Sequence, residues 1–255
     1  MILGPLRYLV LPAMLAGSIA AGPVWAKTTA LAKPKPAEAK SNKLPGACIT
    51  HQDPTKQIEA CTKFLEKNPK SSTAYLLRGL AFMRIGSPKP AIADFGLAAR
   101  YDPKSAPAYN NRGIARRMIG ENDDSLKDFT KAIQIAPKFA AAYIGRGISH
   151  MVKRDFDAAG ADFDRAIKLD PKNGDAFRNK GNMMAQLFRF ADAIAYYNQA
   201  LIRNIKDSDA YFNRGVAYEA LRNYQVAIQN YKLALKYNPQ MKSARSALDR
   251  LGVKP

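Results

Sequence analysis

The octapeptide AYNNRGIA, Ala108 to Ala115, places Tyr109, Gly113 and Ile114 at the three- and four-residue spacing of an amphipathic helix, while Asn110, Asn111 and Arg112 fall off that spacing. The phrase recurs as AYLLRGLA from Ala74, AYIGRGIS from Ala142, AFRNKGNM from Ala176 and AYFNRGVA from Ala210, each start 34 residues from the next. Aligned from Ser72, Ala106, Ala140, Gly174 and Ser208, the copies share five columns. The fourth place is aromatic (Tyr75, Tyr109, Tyr143, Phe177, Tyr211) and the eighth is Gly (Gly79, Gly113, Gly147, Gly181, Gly215). The twenty-fourth place is again aromatic (Phe95, Phe129, Phe163, Tyr197, Tyr231) and the twenty-seventh is Ala (Ala98, Ala132, Ala166, Ala200, Ala234). Each copy closes on Pro103, Pro137, Pro171 or Pro239, with Ile205 the exception, and a proline just beyond a helix end prevents its continuation. The pattern predicts two helices per unit. A helix-interior Gly costs about 0.5 to 1 kcal/mol relative to Ala, so Gly beside large aromatics reads as room for a closely packed neighbour.

These residues identify the chain as similar to the tetratricopeptide repeat family, whose 34-residue helix-turn-helix units carry the same aromatic, Gly, Ala, aromatic, Ala and Pro pattern. The wording "AYNNRG" followed by "SLKDFTKAIQIAPK" further resembles exported alphaproteobacterial members. The resemblance implies an all-α fold, an α-solenoid of five units at 72–105, 106–139, 140–173, 174–207 and 208–241. Departures are local: Arg116 and His150 stand where the first helix often carries Tyr. Ahead of the array, residues 47–71 form a partial unit, since QIEACTKFLEKNPK from Gln57 matches a second helix while Pro45 occupies the place of the Gly. After it, residues 242–255 hold an amphipathic stretch, KSARSALDRLG, expected to cap the array with a polar outer side.

Composition is that of an ordinary soluble protein, 47% apolar and 24% charged. The N-terminus changes the picture. Arg7 precedes a mostly apolar run, Tyr8 to Ala21, followed by GPVWA, which reads as a secretory signal over residues 1–26 cleaved after Ala26. The alternative is an uncleaved anchor formed by residues 8–26, near the roughly 20 residues that a span requires. Pro12, Gly17, Gly22 and Pro23 favour cleavage and hence a periplasmic or secreted protein. Residues 27–46, with five Lys, one Glu and three Pro, form a solvated linker. Arg7 and the linker account for five of the nineteen net positive charges, leaving fourteen on residues 47–255. Such a balance points to nucleic acid, anionic lipid or acidic protein partners.

In the repeat frame Cys48 and Cys61 take the eleventh and twenty-fourth places, both facing inward between the two helices, so in an exported chain they are expected to form a disulfide worth roughly 3 kcal/mol; two unlinked thiols are the alternative. His51 and His150 lack an acid and a nucleophile arranged as a catalytic set, and His150 is expected to be a core side chain. No Cys/His cluster suggests zinc and no phosphate-binding Gly-rich loop is present, so no metal, cofactor or catalytic residue is expected. Arg78, Arg112, Arg146, Lys180 and Arg214 fill the seventh place. They read either as an anion-binding stripe or as structural partners of the twenty-third place, where Asp94, Asp128 and Asp162 give way to Tyr196 and Asn230.

In this family the concave face is lined by the fifth, ninth, twelfth and thirteenth places. Here they hold Leu76, Leu80 and Met83, then Ile114 and Met118, then Ile144, Ile148, Met151 and Val152. An apolar groove with several Met side chains suits adaptable peptide binding, unless part of the stripe packs against neighbouring repeats. The last two copies offer Arg178, Asn182 and Asn213, which match three places of the carboxylate-holding clamp of chaperone-binding members; the alternative is a solvated polar face. The expectation is a non-enzymatic scaffold that binds a protein or peptide in its groove. Its rival is electrostatic attachment to anionic lipid or an envelope polymer. Nucleic acid is disfavoured as a partner, because export removes the chain from most of it and the repeats lack the exposed aromatics of a strand binder.

Overall fold

The computed structural model describes residues 44–49 and 53–254. The expected signal segment, all but the last residues of the linker, and His51 lie outside the described residues. Among the described residues there are thirteen α-helices and no strands. A short α1 (Gly46–Ile49) and α2 (Pro54–Lys67) form the partial unit. The five full units follow as the pairs α3 (Ser72–Arg84) and α4 (Pro88–Tyr101), α5 (Ala106–Met118) and α6 (Asn122–Ile135), α7 (Ala140–Val152) and α8 (Phe156–Leu169), α9 (Gly174–Gln186) and α10 (Phe190–Arg203), and α11 (Ser208–Ala220) and α12 (Tyr224–Tyr237). A terminal α13 (Lys242–Arg250) buries Ala244, Ala247 and Leu248, as a capping helix should. No helix among the described residues is long and apolar enough to cross a membrane.

Each helix packs on its chain neighbours, and the first helices of successive units, α3, α5, α7, α9 and α11, also touch one another. They therefore form the inner row of the solenoid, where the radius is shorter. The aromatic and glycine columns meet within each unit: a β-carbon placed on Gly79 would fall 2.6 Å from the Phe95 ring, and one on Gly147 would fall 2.7 Å from Phe163. Phe95, Phe129 and Phe163 are fully buried, and Tyr197 and Tyr231 nearly so. The turn inside each unit requires a left-handed residue at the fifteenth place. Gly86 and Gly120 supply it without steric cost, whereas Arg154, Phe188 and Arg222 adopt φ near +60° in the last three units.

Cys48 and Cys61 are disulfide-bonded, with Cα atoms 4.9 Å apart, and fully buried beside Leu77. Gln57 Nε2 donates to the Cys48 carbonyl at 2.9 Å, tying the short first helix to the second.

Candidate functional site

The seventh-place arginines are structural. Arg78 makes a bidentate pair with Asp94, both contacts at 2.8 Å, and Arg146 does the same with Asp162 at 2.8 and 2.7 Å. Arg112 binds Asp128 at 2.9 and 2.6 Å, and Arg116 adds a third bond to that carboxylate at 2.8 Å. The carboxylates are nearly buried and the guanidinium groups mostly so. Hydrogen bonding to the paired Asp raises all three arginine pKa values, outweighing the effect of burial. Each guanidinium also lies over the ring three residues earlier, Tyr75, Tyr109 or Tyr143, at 5.3 to 5.7 Å.

The same arginines reach backwards. Arg78 Nη1 donates to Thr62 at 3.0 Å, Arg146 Nη1 to Thr130 at 3.4 Å, and Arg214 Nη1 to Asn198 at 2.6 Å. The backward partner is sixteen residues before the basic residue, as the forward partner is sixteen after. Lys180 follows the rule with Asp164 behind it and the Tyr196 ring ahead at 4.9 Å. Only glycine stands behind Arg112: a β-carbon on Gly96 would be 3.6 Å from its Nη1. Everywhere but at Arg112 the stripe is therefore a clasp joining a first helix to the second helices on both sides.

The expected groove residues divide into two groups. Leu80, Met83 and Ile114 are buried in one cluster with Phe95 and Phe129, against which Leu76 packs half-buried. Ile144, Ile148 and Met151 are at most 2% exposed and belong to a second cluster. Their expected role as a contact surface is thus corrected for these side chains: neighbouring first helices close over them because the inner row is tightly spaced. Met118 and Val152 stand out at 53% and 48% exposure, both at the thirteenth place of their units, in the last turns of α5 and α7.

The clamp residues are brought together but already engaged. Arg178 pairs with Asp207 and, at 2.9 Å, with Asp175. Burial alone would lower its pKa, but Asp207, Asp175 and Asp209 together raise it. Asn182 Oδ1 accepts from Tyr197 Oη and from Asn213 Nδ2, both at 2.9 Å. Three groups expected to receive a carboxylate thus satisfy one another or the nearby aspartates. His150 is half-buried, its Nδ1 3.4 Å from Asp155.

The sequence reading passed over two inner-face residues of α5. Asn110 and Arg117 occupy the fifth and twelfth places, where the flanking units have Leu76 and Ile144, or Met83 and Met151. Asn110 is 5% exposed, and its Oδ1 is buried without a hydrogen-bond partner. Arg117 Nε is likewise buried and unpartnered, and no acidic side chain among the described residues pairs with this guanidinium. Desolvation pushes Arg117 down to about 10. The signal available in the sequence was the polar interruption of an otherwise apolar column. Among the described residues no group of three or more His, Cys, Asp or Glu side chains is placed to hold a metal ion.

A row of stacked helix pairs with a tight inner layer defines the class, a helical-repeat solenoid. The tetratricopeptide repeat model matches residues 76–140, 110–174, 144–208 and 186–242, well over half of the chain. The chain belongs to the tetratricopeptide repeat family. No curated protein matches it. Among solved structures it is similar to the APC/C Cut9–Hcn1 hetero-tetramer (TM-score 0.70, 19% identity, 77% of this chain, and only 39% of that chain). It is also similar to PilW, described as a type IV pilus biogenesis factor (TM-score 0.68, 22% identity, 77% of this chain and 91% of that one). A third is YrrB, described as a tetratricopeptide repeat protein with an unusual peptide-binding site (TM-score 0.50, 21% identity, 75% and 99%). At these identities the likeness shows the fold.

Proposed function

We propose that this protein is a non-enzymatic scaffold of the cell envelope that holds an extended segment of another protein along the inner face of α3, α5 and α7. The observation that carries this reading is the exposed apolar pair Met118 and Val152 at the end of that face. Elsewhere on that wall Leu80, Met83, Ile114, Ile144, Ile148 and Met151 are buried. Thioether and aliphatic side chains at the rim fit varied apolar partners. Family membership supports protein or peptide binding, and the peptide-binding site described for YrrB shows that the fold accommodates it. An oxidising compartment is supported by the buried Cys48–Cys61 bond and by the sequence of residues 1–26.

The test is photo-crosslinking in native envelopes from Val152, with Arg165 on the outer helix α8 as the control position. A single protein captured from Val152 at both low and high salt, and absent from the control, supports the groove. Met118→Glu should abolish that capture. Intact mass of the mature chain should begin at Lys27; retention of residues 1–26 would favour the membrane anchor.

A second reading rests on a separate observation. Lys70, Lys104, Lys138, Lys172 and Lys206 occupy the same place of successive turns between units and all are exposed. Two of these turns also hold an acid, Asp102 and Asp170, whereas the opposite edge carries Glu121, Asp123, Asp124, Asp155, Asp157 and Asp192. One edge is therefore suited to an anionic envelope surface. Salt-labile retention on anionic vesicles, lost when these lysines become glutamine, would support it.

A further inference from the structure

We propose that Asn110 and Arg117 form a subsite on the inner face of α5 that binds an extended peptide by a backbone N–H and by a carboxylate about three residues further along. The inference rests on the groove reading and supplies the chemistry of its occupant. It also moves the acid-binding end of the groove from the last two units, where Arg178 is already satisfied, to the second unit.

Two polar groups on the inner face of α5 are left unpaired. A buried polar atom without a partner costs free energy, and a partly desolvated guanidinium without a counter-charge costs more. Three side-chain atoms among the described residues are in that condition: Asn110 Oδ1, Arg117 Nε and Arg116 Nε. Arg116 is otherwise satisfied by Asp128 and lies 3.7 Å from Glu121. Arg117 has no such relief. The two remaining groups are complementary in kind, since the amide oxygen needs a donor and the guanidinium needs an anion.

Their spacing then selects the ligand. Asn110 and Arg117 are seven residues apart, hence two helical turns along the same face and about 10 Å apart by helix rise. An extended chain advances roughly 3.3 to 3.6 Å per residue, so three residues of peptide cover the interval. Ile114 lies between them and is buried in the neighbouring cluster, so no third polar group competes within the interval. Inorganic phosphate or an isolated carboxylate would answer Arg117 and leave Asn110 unsatisfied. A peptide answers both, with a glutamate, an aspartate or its own C-terminus as the acid. Repulsion by neighbouring acids is absent from this stretch: the inner-face places of α3 and α7 hold Leu76, Leu80, Met83, Ile144, Ile148 and Met151.

The unmet charge also gives the proposal a signature that a structural arginine would lack. Met occupies the corresponding place in the flanking units, as Met83 and Met151, so Arg117→Met fits the architecture and removes an uncompensated charge. The free protein should gain stability while losing a binding function.

The experiment uses the full mature chain and fluorescence anisotropy with labelled, otherwise neutral, extended peptides that carry one glutamate, compared with the same peptides carrying glutamine. The wild type should prefer the glutamate peptides by roughly tenfold or more, as a charge-assisted hydrogen bond implies. Arg117→Met should erase the preference and raise the melting temperature, Arg117→Lys should keep part of the preference, and Asn110→Leu should weaken both peptides alike. A wild type without glutamate preference overturns the subsite, as does an Arg117→Met protein that retains it or melts lower. The groove reading is judged separately: both peptides binding equally, and both lost with Met118→Glu, would keep the groove and eliminate the carboxylate subsite.

Discussion

The first three units and the last two build the same helix pairs but put their polar interactions in different places. In units one to three a buried Asp at the twenty-third place receives a bidentate arginine, and the inner face is apolar except at Arg84, Asn110 and Arg117. In units four and five that seam is weakened to a lysine beside Asp164 and Tyr196, then to an arginine between two asparagine oxygens. The inner side there carries the network instead: Arg178 with Asp175 and Asp207, Asn182 with Asn213 and Tyr197, and Glu219 with Arg250 and with Tyr231 at 2.7 Å. The architecture thus tolerates charge on either surface of its first helices, provided each charge is answered. Among the described residues, α5 alone leaves polar side-chain atoms of its inner face buried and unanswered.

The arginine seam of the first three units is most vulnerable at Asp128. Asp128→Ala strands both Arg112 and Arg116 in a nearly buried seam and should cost about 3 kcal/mol or more in urea denaturation, the larger effect expected when one partner of a buried pair is removed. Arg178→Ala attacks the other half of the molecule and should cost about 2 kcal/mol by leaving Asp207 unpaired. If it instead leaves stability intact and abolishes partner binding, the inner network of units four and five is a recognition site after all. Gly96→Thr should act in the stabilising direction by about 1 kcal/mol, because it supplies Arg112 with the hydroxyl that Thr62 and Thr130 offer their arginines and removes a helix-interior glycine. Asn230→Asp should move unit five toward the first three. Its effect should be smallest, within about 1 kcal/mol, since it strengthens the bond to Arg214 but forfeits the Asn230 donation to the Val226 carbonyl at 2.8 Å. Burial currently lowers the Arg214 pKa; the variant should reverse that direction, as pairing with Asp does for Arg78.

Periodicity made the helices legible because the same packing problem is solved five times: Gly147 and Phe163 sit in their columns for the reason seen in the contact between them. The pairing of Arg78 with Asp94 was legible for the same reason, being one of three equivalent pairs. Burial of Ile144 and Met151 was not. A position on an inner face states direction, whereas exposure depends on how tightly successive first helices approach, which is a property of the whole row. Arg178 misled because its residue type suited a ligand, while the aspartates that claim it lie three and twenty-nine residues away, outside the five columns shared by all units. Arg117 was overlooked for the opposite reason: it broke a column, and only the absence of a partner gives that break meaning.

The sixteen-residue reach of the clasp also bears on how the array comes apart. Because Arg146 is held by Thr130 of the preceding unit as well as by Asp162 of its own, the boundary drawn by the sequence repeat is not a seam along which the molecule can be divided. In a nearest-neighbour chain, such shared bonds enlarge the coupling between units relative to their intrinsic stability. Fraying from the C-terminus should therefore advance by whole clasps, a first helix leaving together with the second helices it grips. The break should come most readily at Arg112, whose backward grip is missing at Gly96. Amide hydrogen exchange would record this as a step in protection between α4 and α5, dividing a continuous solenoid into two cooperative blocks.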